Sequence, residues 1–113
     1  MLCSTPQFLA EFWSVCTLPP SARGGFGLPP AEAERRARVI ERYFRLLPDG
    51  ATTYHEWRQL LLRHTVSSMQ VHDTRLIASM KVYGITHLLT FNADDFTRYP
   101  DITVVDPQHV TLA

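Results

Sequence analysis

The sequence runs to 113 residues with 45% hydrophobic content, enough for one modest core and too little for a second independent domain. Eleven Lys and Arg balance eleven Asp and Glu, which excludes a global positive field of the kind that holds a protein non-specifically on nucleic acid or an anionic membrane. Apolar runs fall far short of the ~20 residues of a membrane helix, and the opening MLCSTPQFLAEFW carries Glu11 without the basic start of a secretory signal, so the expectation is a cytoplasmic protein with no membrane partner.

Cys3 and Cys16 stand in or beside apolar stretches with no CxxC partner, which points to two reduced thiols rather than a metal knuckle or a disulfide framework. A first helix is predicted over 6–16, capped by Ser4 or Thr5 and carrying Pro6 in its first turn. Phe8, Phe12, Val15 and Cys16 form its apolar stripe. The segment TLPPSARGGFGLPP, 17–30, holds four prolines and three glycines, a composition that forbids regular structure and marks an irregular or mobile loop.

A second helix is predicted over 31–47, with Val39, Ile40, Tyr43, Phe44 and Leu47 as its buried stripe. Glu32/Arg36, Glu34/Arg38 and Glu41/Arg45 stand four apart on its outer face. Asp49-Gly50 turns the chain, and Thr53 with Glu56 three residues on makes a capping-box pattern ahead of WRQLLLRH. VHDTRLIASMKVYG then reads as an amphipathic helix stopped by Gly84, which suits the left-handed cap position. THLLTF (86–91) and DITVVD (101–106) are short strand-like runs following helical or turn signals, as in a parallel arrangement, and MLCS reads as the tail of a further strand. The expected class is therefore α/β, with helices flanking a short parallel sheet.

Acids stand out on three separate segments, two of them at odds with their apolar surroundings. At 100° per residue Asp73 points within about 80° of Leu76, Ile77 and Met80, so it lies toward the buried face, where a carboxylate must be paired, capping or coordinated. Glu11 sits between Phe8 and Val15 on the rim of the first apolar stripe. Asp94 and Asp95 follow the THLLTF strand, at the carboxyl edge where open α/β sheets bind ligands. Neighbouring side chains diverge, so one of the pair serves a site and the other caps the short turn ahead of RYP. Acids from three separate segments make joint sense around a hard divalent cation, which takes oxygen ligands and offsets their repulsion and can activate a water against a phosphodiester.

Other chemistries fail on the residues. HEWRQ places Gln59 where a zincin needs its second histidine, and RGGFG precedes no βαβ pattern. The histidines at 55, 64, 72, 87 and 109 lack ligand spacing. Ser67 and Ser68 lie near His64, His72 and Asp73 without a nucleophile-elbow context.

The segment 71–107, VHDTRLIASMKVYGITHLLTFNADDFTRYPDITVVDP, resembles the end of PIN domains of the VapC type: an aspartate opening a helix, Gly, a strand, T-x-N-x-x-D-F and a closing strand ending in DP. TPQFLAEFWSVCT is similar to the family's Q-x-L-x-E-F helix. The resemblance implies a PIN-like fold and a Mg²⁺- or Mn²⁺-dependent endoribonuclease, the toxin of a toxin–antitoxin pair. Its partners would be RNA and a cognate antitoxin protein, with a homodimer as a further expectation. Carried over by position, Glu11, Asp73 and Asp95 are the second, third and fourth acids, Asn92 is the alternative polar position of the last loop, and Thr90 orients that loop.

The family's first acid, in an opening strand reading like DTN, has no counterpart here, and Ser68 stands where relatives often have glycine. The expectation is thus a single PIN-like domain, 1–113, incomplete at its first strand. The competing expectation is an inactive remnant or an antitoxin-binding module.

Overall fold

The computed structural model describes residues 2–21 and 24–109. Met1 of the MLCS run and Ala22 and Arg23 of the 17–30 loop lie outside the described residues. Among the described residues the fold is α/β, four helices with two short parallel two-stranded sheets, and the chain divides into two compact units, Met1–Pro48 and Asp49–Ala113. No described helix is long and apolar enough to cross a membrane.

In the first unit, strand β1 (Cys3–Ser4) leads into helix α1 (Pro6–Thr17). Thr5 is the cap: its Oγ1 accepts the Phe8 N–H at 3.1 Å, satisfying one of the donors that every helix start leaves open. Cys16 is buried, whereas Phe8 and Val15 remain 47% and 42% exposed, so the expected stripe is covered at its end only.

The described residues that follow α1 up to Pro29 are irregular, as their prolines and glycines dictate, yet anchored. The N–H groups of Phe26, Gly27 and Leu28 donate to the carbonyls of Val15, Leu18 and Cys16 at 3.2, 2.7 and 2.8 Å. These are the carbonyls a helix end leaves without intrahelical partners, so the loop folds back to close α1. Gly25 makes the closure possible, because a Cβ there would stand 2.4 Å from the Pro19 oxygen and 2.5 Å from that of Leu18.

Helix α2 (Pro30–Tyr43) is shorter than the sequence pattern predicts. Phe44 turns extended and strand β2 (Arg45–Leu46) pairs in parallel with Cys3–Ser4. A long-range ladder thus takes residues that local periodicity assigns to the helix. The buried row follows: Ala33 and Ala37 are buried, and Val39 and Tyr43 are left 45% and 68% exposed. Small side chains at i and i+4 let α1 approach closely. Glu32 pairs with Arg35 and Arg36, and Glu34 with Arg38, while Arg45 has left the helix. The Glu32 carboxyl is held down at about 2 by hydrogen bonds from Arg35 and then Arg36.

In the second unit, helix α3 (Ala51–Arg63) starts two residues ahead of the capping-box pattern. Extended Gly50 precedes it, and Thr53 is buried inside the first turn instead of capping it. Helix α4 (Gln70–Tyr83) ends as expected at Gly84, φ +70°, where Ile85 N–H closes on the Met80 carbonyl at 2.8 Å. Strands β3 (His87–Leu89) and β4 (Thr103–Val105) pair in parallel, Leu88 opposite Val104.

Leu60, Ile77, Ala78, Met80, Phe96, Tyr99 and Ile102 form the core of this unit, with Trp57, Leu88 and Val104 packed against it. Leu60 and Ile77 are fully buried, each worth about 1.5–3 kcal/mol of apolar transfer. The α3–α4 connection contains two residues in the left-handed region, Thr65 (φ 51°) and Ser68 (φ 61°), so the position where the resemblance expects glycine has the backbone that favours it.

Candidate metal centre

The candidate acids of the second unit lie on elements that meet. Asp73 is in the first turn of α4, where a carboxylate favours the positive end of the helix. Asp94 and Asp95 are in a one-turn 3-10 helix, Ala93–Phe96, which follows β3 at its carboxyl end and packs on α4. Asp73 is partly exposed and bonded within the fold, and Thr74 rather than Asp73 occupies the buried position of the helix.

Two ties fix the first turn of α4 to the segment after the acidic turn. Thr74 Oγ1 and Tyr99 Oη, both buried, lie 2.7 Å apart, and Thr74 also donates to the Gln70 carbonyl at 3.0 Å. Since the single Thr74 proton is committed to Gln70, the Tyr99 hydroxyl is the donor to Thr74. Arg98 Nη2 donates to Gln70 Oε1. Trp57 Nε1–H adds a bond to the Val71 carbonyl at 2.9 Å, securing the same turn from α3.

The loop ahead of the acids is organised by Thr90. Its Oγ1 accepts the Asn92 N–H at 3.1 Å, a side-chain turn of the sort threonine favours, and Thr90 N–H donates to the Val105 carbonyl at 3.0 Å. Asn92 carbonyl in turn accepts the Asp95 N–H at 3.1 Å. Asn92, Asp94 and Asp95 are exposed. The expected side-chain cap from one of the two aspartates is not formed: Asn92 occupies the cap position without a side-chain bond, and Asp94 contributes its carbonyl, to Thr97 Oγ1 at 3.1 Å.

Glu11 belongs to the first unit, where it is exposed on α1 and accepts Gln7 Nε2–H at 3.4 Å. Among the described residues no group of three or more His, Cys, Asp or Glu side chains is assembled for a metal ion. In kind, the donors Asp73 and Asp95 suit Mg²⁺ or Mn²⁺: both offer carboxylate oxygens, and Mg²⁺ keeps several waters and takes one or two carboxylates with substrate phosphates rather than a closed protein cage.

The Thr74–Tyr99 and Gln70–Arg98 ties have no periodic signature, since their members are 25 and 28 residues apart. The one sequence clue to the first was a threonine in register with Ile77 and Ala78 on an apolar face. Asp49 was read only as a turn residue; it also receives Arg75 Nη2 at 2.8 Å and Ser79 Oγ at 3.4 Å.

Comparison with protein-family models, with curated proteins and with solved structures yields no match.

Proposed function

We propose that the chain is a PIN/VapC-type, metal-dependent endoribonuclease, on one observation above all. Asp73 and Asp95 come from segments far apart in sequence onto elements tied together beyond the carboxyl end of a parallel strand, where α/β folds bind ligands. The motif agreement over 71–107 supports the same reading.

In this reading Asp73 and Asp95 would offer oxygen donors to Mg²⁺ or Mn²⁺. A cation held there by the two carboxylates would supply the chemistry of phosphodiester hydrolysis, an activated water. Thr90 holds the loop through the Asn92 N–H, and the Asn92 side chain, free of a capping bond, is available to a scissile phosphate or its water. Asp94 stays solvated. RNA is the substrate and an antitoxin protein the regulatory partner. Cleavage of RNA that needs added Mn²⁺, and that Asp73→Asn and Asp95→Asn each abolish, is the supporting result.

A second reading, a non-catalytic antitoxin-binding module, draws on the first unit. There a groove of about 500 Å³ between α1 and α2 has Leu9, Ala10, Trp13 and Ala37 along it and Glu34 and Glu41 at its edge. Metal-dependent cleavage by the chain would set this reading aside; binding of an antitoxin helix with no cleavage under any metal would favour it.

A further inference from the structure

The second unit holds a small cavity away from the acidic turn, about 90 Å³, lined by Arg63, His64, Lys81, Tyr99, Pro100 and Asp101. The sequence puts its cations there for a local reason: Arg63 and Lys81 are the last-turn bases of α3 and α4, placed where helix carbonyl ends favour positive charge. Each such end amounts to about half a charge, and the cations exceed that demand. Arg63, Lys81 and Arg98 act together on His64 against the single carboxylate of Asp101, and Arg98 is engaged by the neutral Gln70. Among the described residues neither Arg63 nor Arg98 is paired with an acid.

The one acid present holds its place loosely. Asp101 reaches Lys81 Nζ at 3.5 Å with 75% of its side chain exposed, while the Lys81 side chain is 24% exposed. A long, solvated pair of this kind contributes little, so a stronger anion can displace the carboxylate into water without disturbing Lys81. The wall opposite is rigid: the His64 ring meets the Tyr99 ring edge-on at 5.0 Å, and Tyr99 is locked by its bond to Thr74.

We propose that this cavity binds a phosphate group, with Arg63 and Lys81 as its charged contacts, the His64 ring as a third, and Asp101 swinging aside. Arg63 supplies the forked donors that suit a tetrahedral oxyanion, Lys81 a point charge. The space admits a phosphate and no nucleoside, so the ligand enters by its phosphate alone. The source is the backbone of the RNA; that identification rests on the nuclease reading, whereas the phosphate site does not.

His64 reports on occupancy. Empty, its pKa lies below the ordinary 6.5, first because burial penalises the cation and then because Arg63, Lys81 and Arg98 repel it. A phosphate reverses the local field and raises it.

The test is a nuclear magnetic resonance titration of the imidazole signals of the full chain, His64 being assigned with His64→Gln, using inorganic phosphate and, separately, a short single-stranded RNA. Expected are a saturable His64 shift with half-saturation at about millimolar phosphate, from two or three charge-assisted contacts, and an upward move of its titration midpoint. Arg63→Gln and Lys81→Gln each weaken the effect about tenfold, and RNA shifts the same signal. No saturable shift, or equal binding by both charge variants, overturns the site. A phosphate response with none to RNA overturns RNA as its source. Because the readout is a ring signal, a chain that cuts no RNA can still pass this test, which separates failure of the site from failure of the nuclease reading.

Discussion

The bond between Thr74 and Tyr99 holds the Asp73 turn against the acidic segment, and its direction makes the two partners unequal. Tyr99→Phe removes a donor and leaves Thr74 Oγ1 still bonded to the Gln70 carbonyl; the expected cost is about 1 kcal/mol, one ordinary hydrogen bond. Thr74→Val keeps the shape but strands the Tyr99 hydroxyl, whose residue is buried; an unmet buried donor raises the expected cost to about 2 kcal/mol. In the double variant nothing is stranded. Its cost should be about 2 kcal/mol rather than the sum of about 3, a coupling of about 1 kcal/mol. Urea unfolding followed by Trp57 fluorescence in a Trp13→Phe background reads the second unit alone. Additive losses, or a Thr74→Val no costlier than Tyr99→Phe, would refute the assigned donor and the tie itself.

Ser68→Gly should stabilise the second unit by about 0.5–1 kcal/mol, since relief of a left-handed backbone at φ 61° exceeds the entropy glycine adds to the unfolded chain; a loss of stability in the same urea assay would contradict that. Gly25→Ala should destabilise the first unit by about 1–3 kcal/mol, because its Cβ would meet the Pro19 oxygen at 2.4 Å, and an unchanged transition by Trp13 fluorescence would show that the loop yields freely. For His64, burial and its basic neighbours lower the folded pKa below 6.5, so the unfolded chain takes up a proton first and stability falls as the pH drops from about 6.5 through the folded pKa. His64→Gln should remove that segment of the pH–stability curve, and a curve identical to the parent's would place the effect elsewhere.

What local chemistry writes into the sequence is found in the structure. Thr5 caps α1, Gly84 ends α4, and the β3–β4 pair is parallel, because each depends on a few neighbouring residues or on a short β-branched run. The end of α2 was not legible. Val39 to Leu47 satisfies a helical period, and only the ladder to Cys3–Ser4, more than forty residues back, converts Arg45–Leu46 to strand. Thr53 misled for a related reason: the box pattern S/T-x-x-E is common, and the extended Gly50 started the helix sooner.

At the site, the acids and the Thr90 turn were readable as a motif, since the turn closes over two residues. The ties that position them were not, because Tyr99 and Arg98 reach across more than twenty residues to α4. The basic cavity was equally silent, assembled from the ends of two helices and the Tyr99–Asp101 segment.

The most direct measurement of the central claim is cleavage of a fluorescent single-stranded RNA by the chain with Mn²⁺, with and without EDTA, beside Asp73→Asn and Asp95→Asn proteins whose urea midpoints match the parent. Cleavage lost on chelation, and reduced about a hundredfold or more in both variants, is expected from the several kcal/mol that a properly held cation contributes to the transition state. Cleavage that persists in EDTA, or at parental rate in either variant, would contradict the assignment of these two carboxylates to a metal-dependent nuclease.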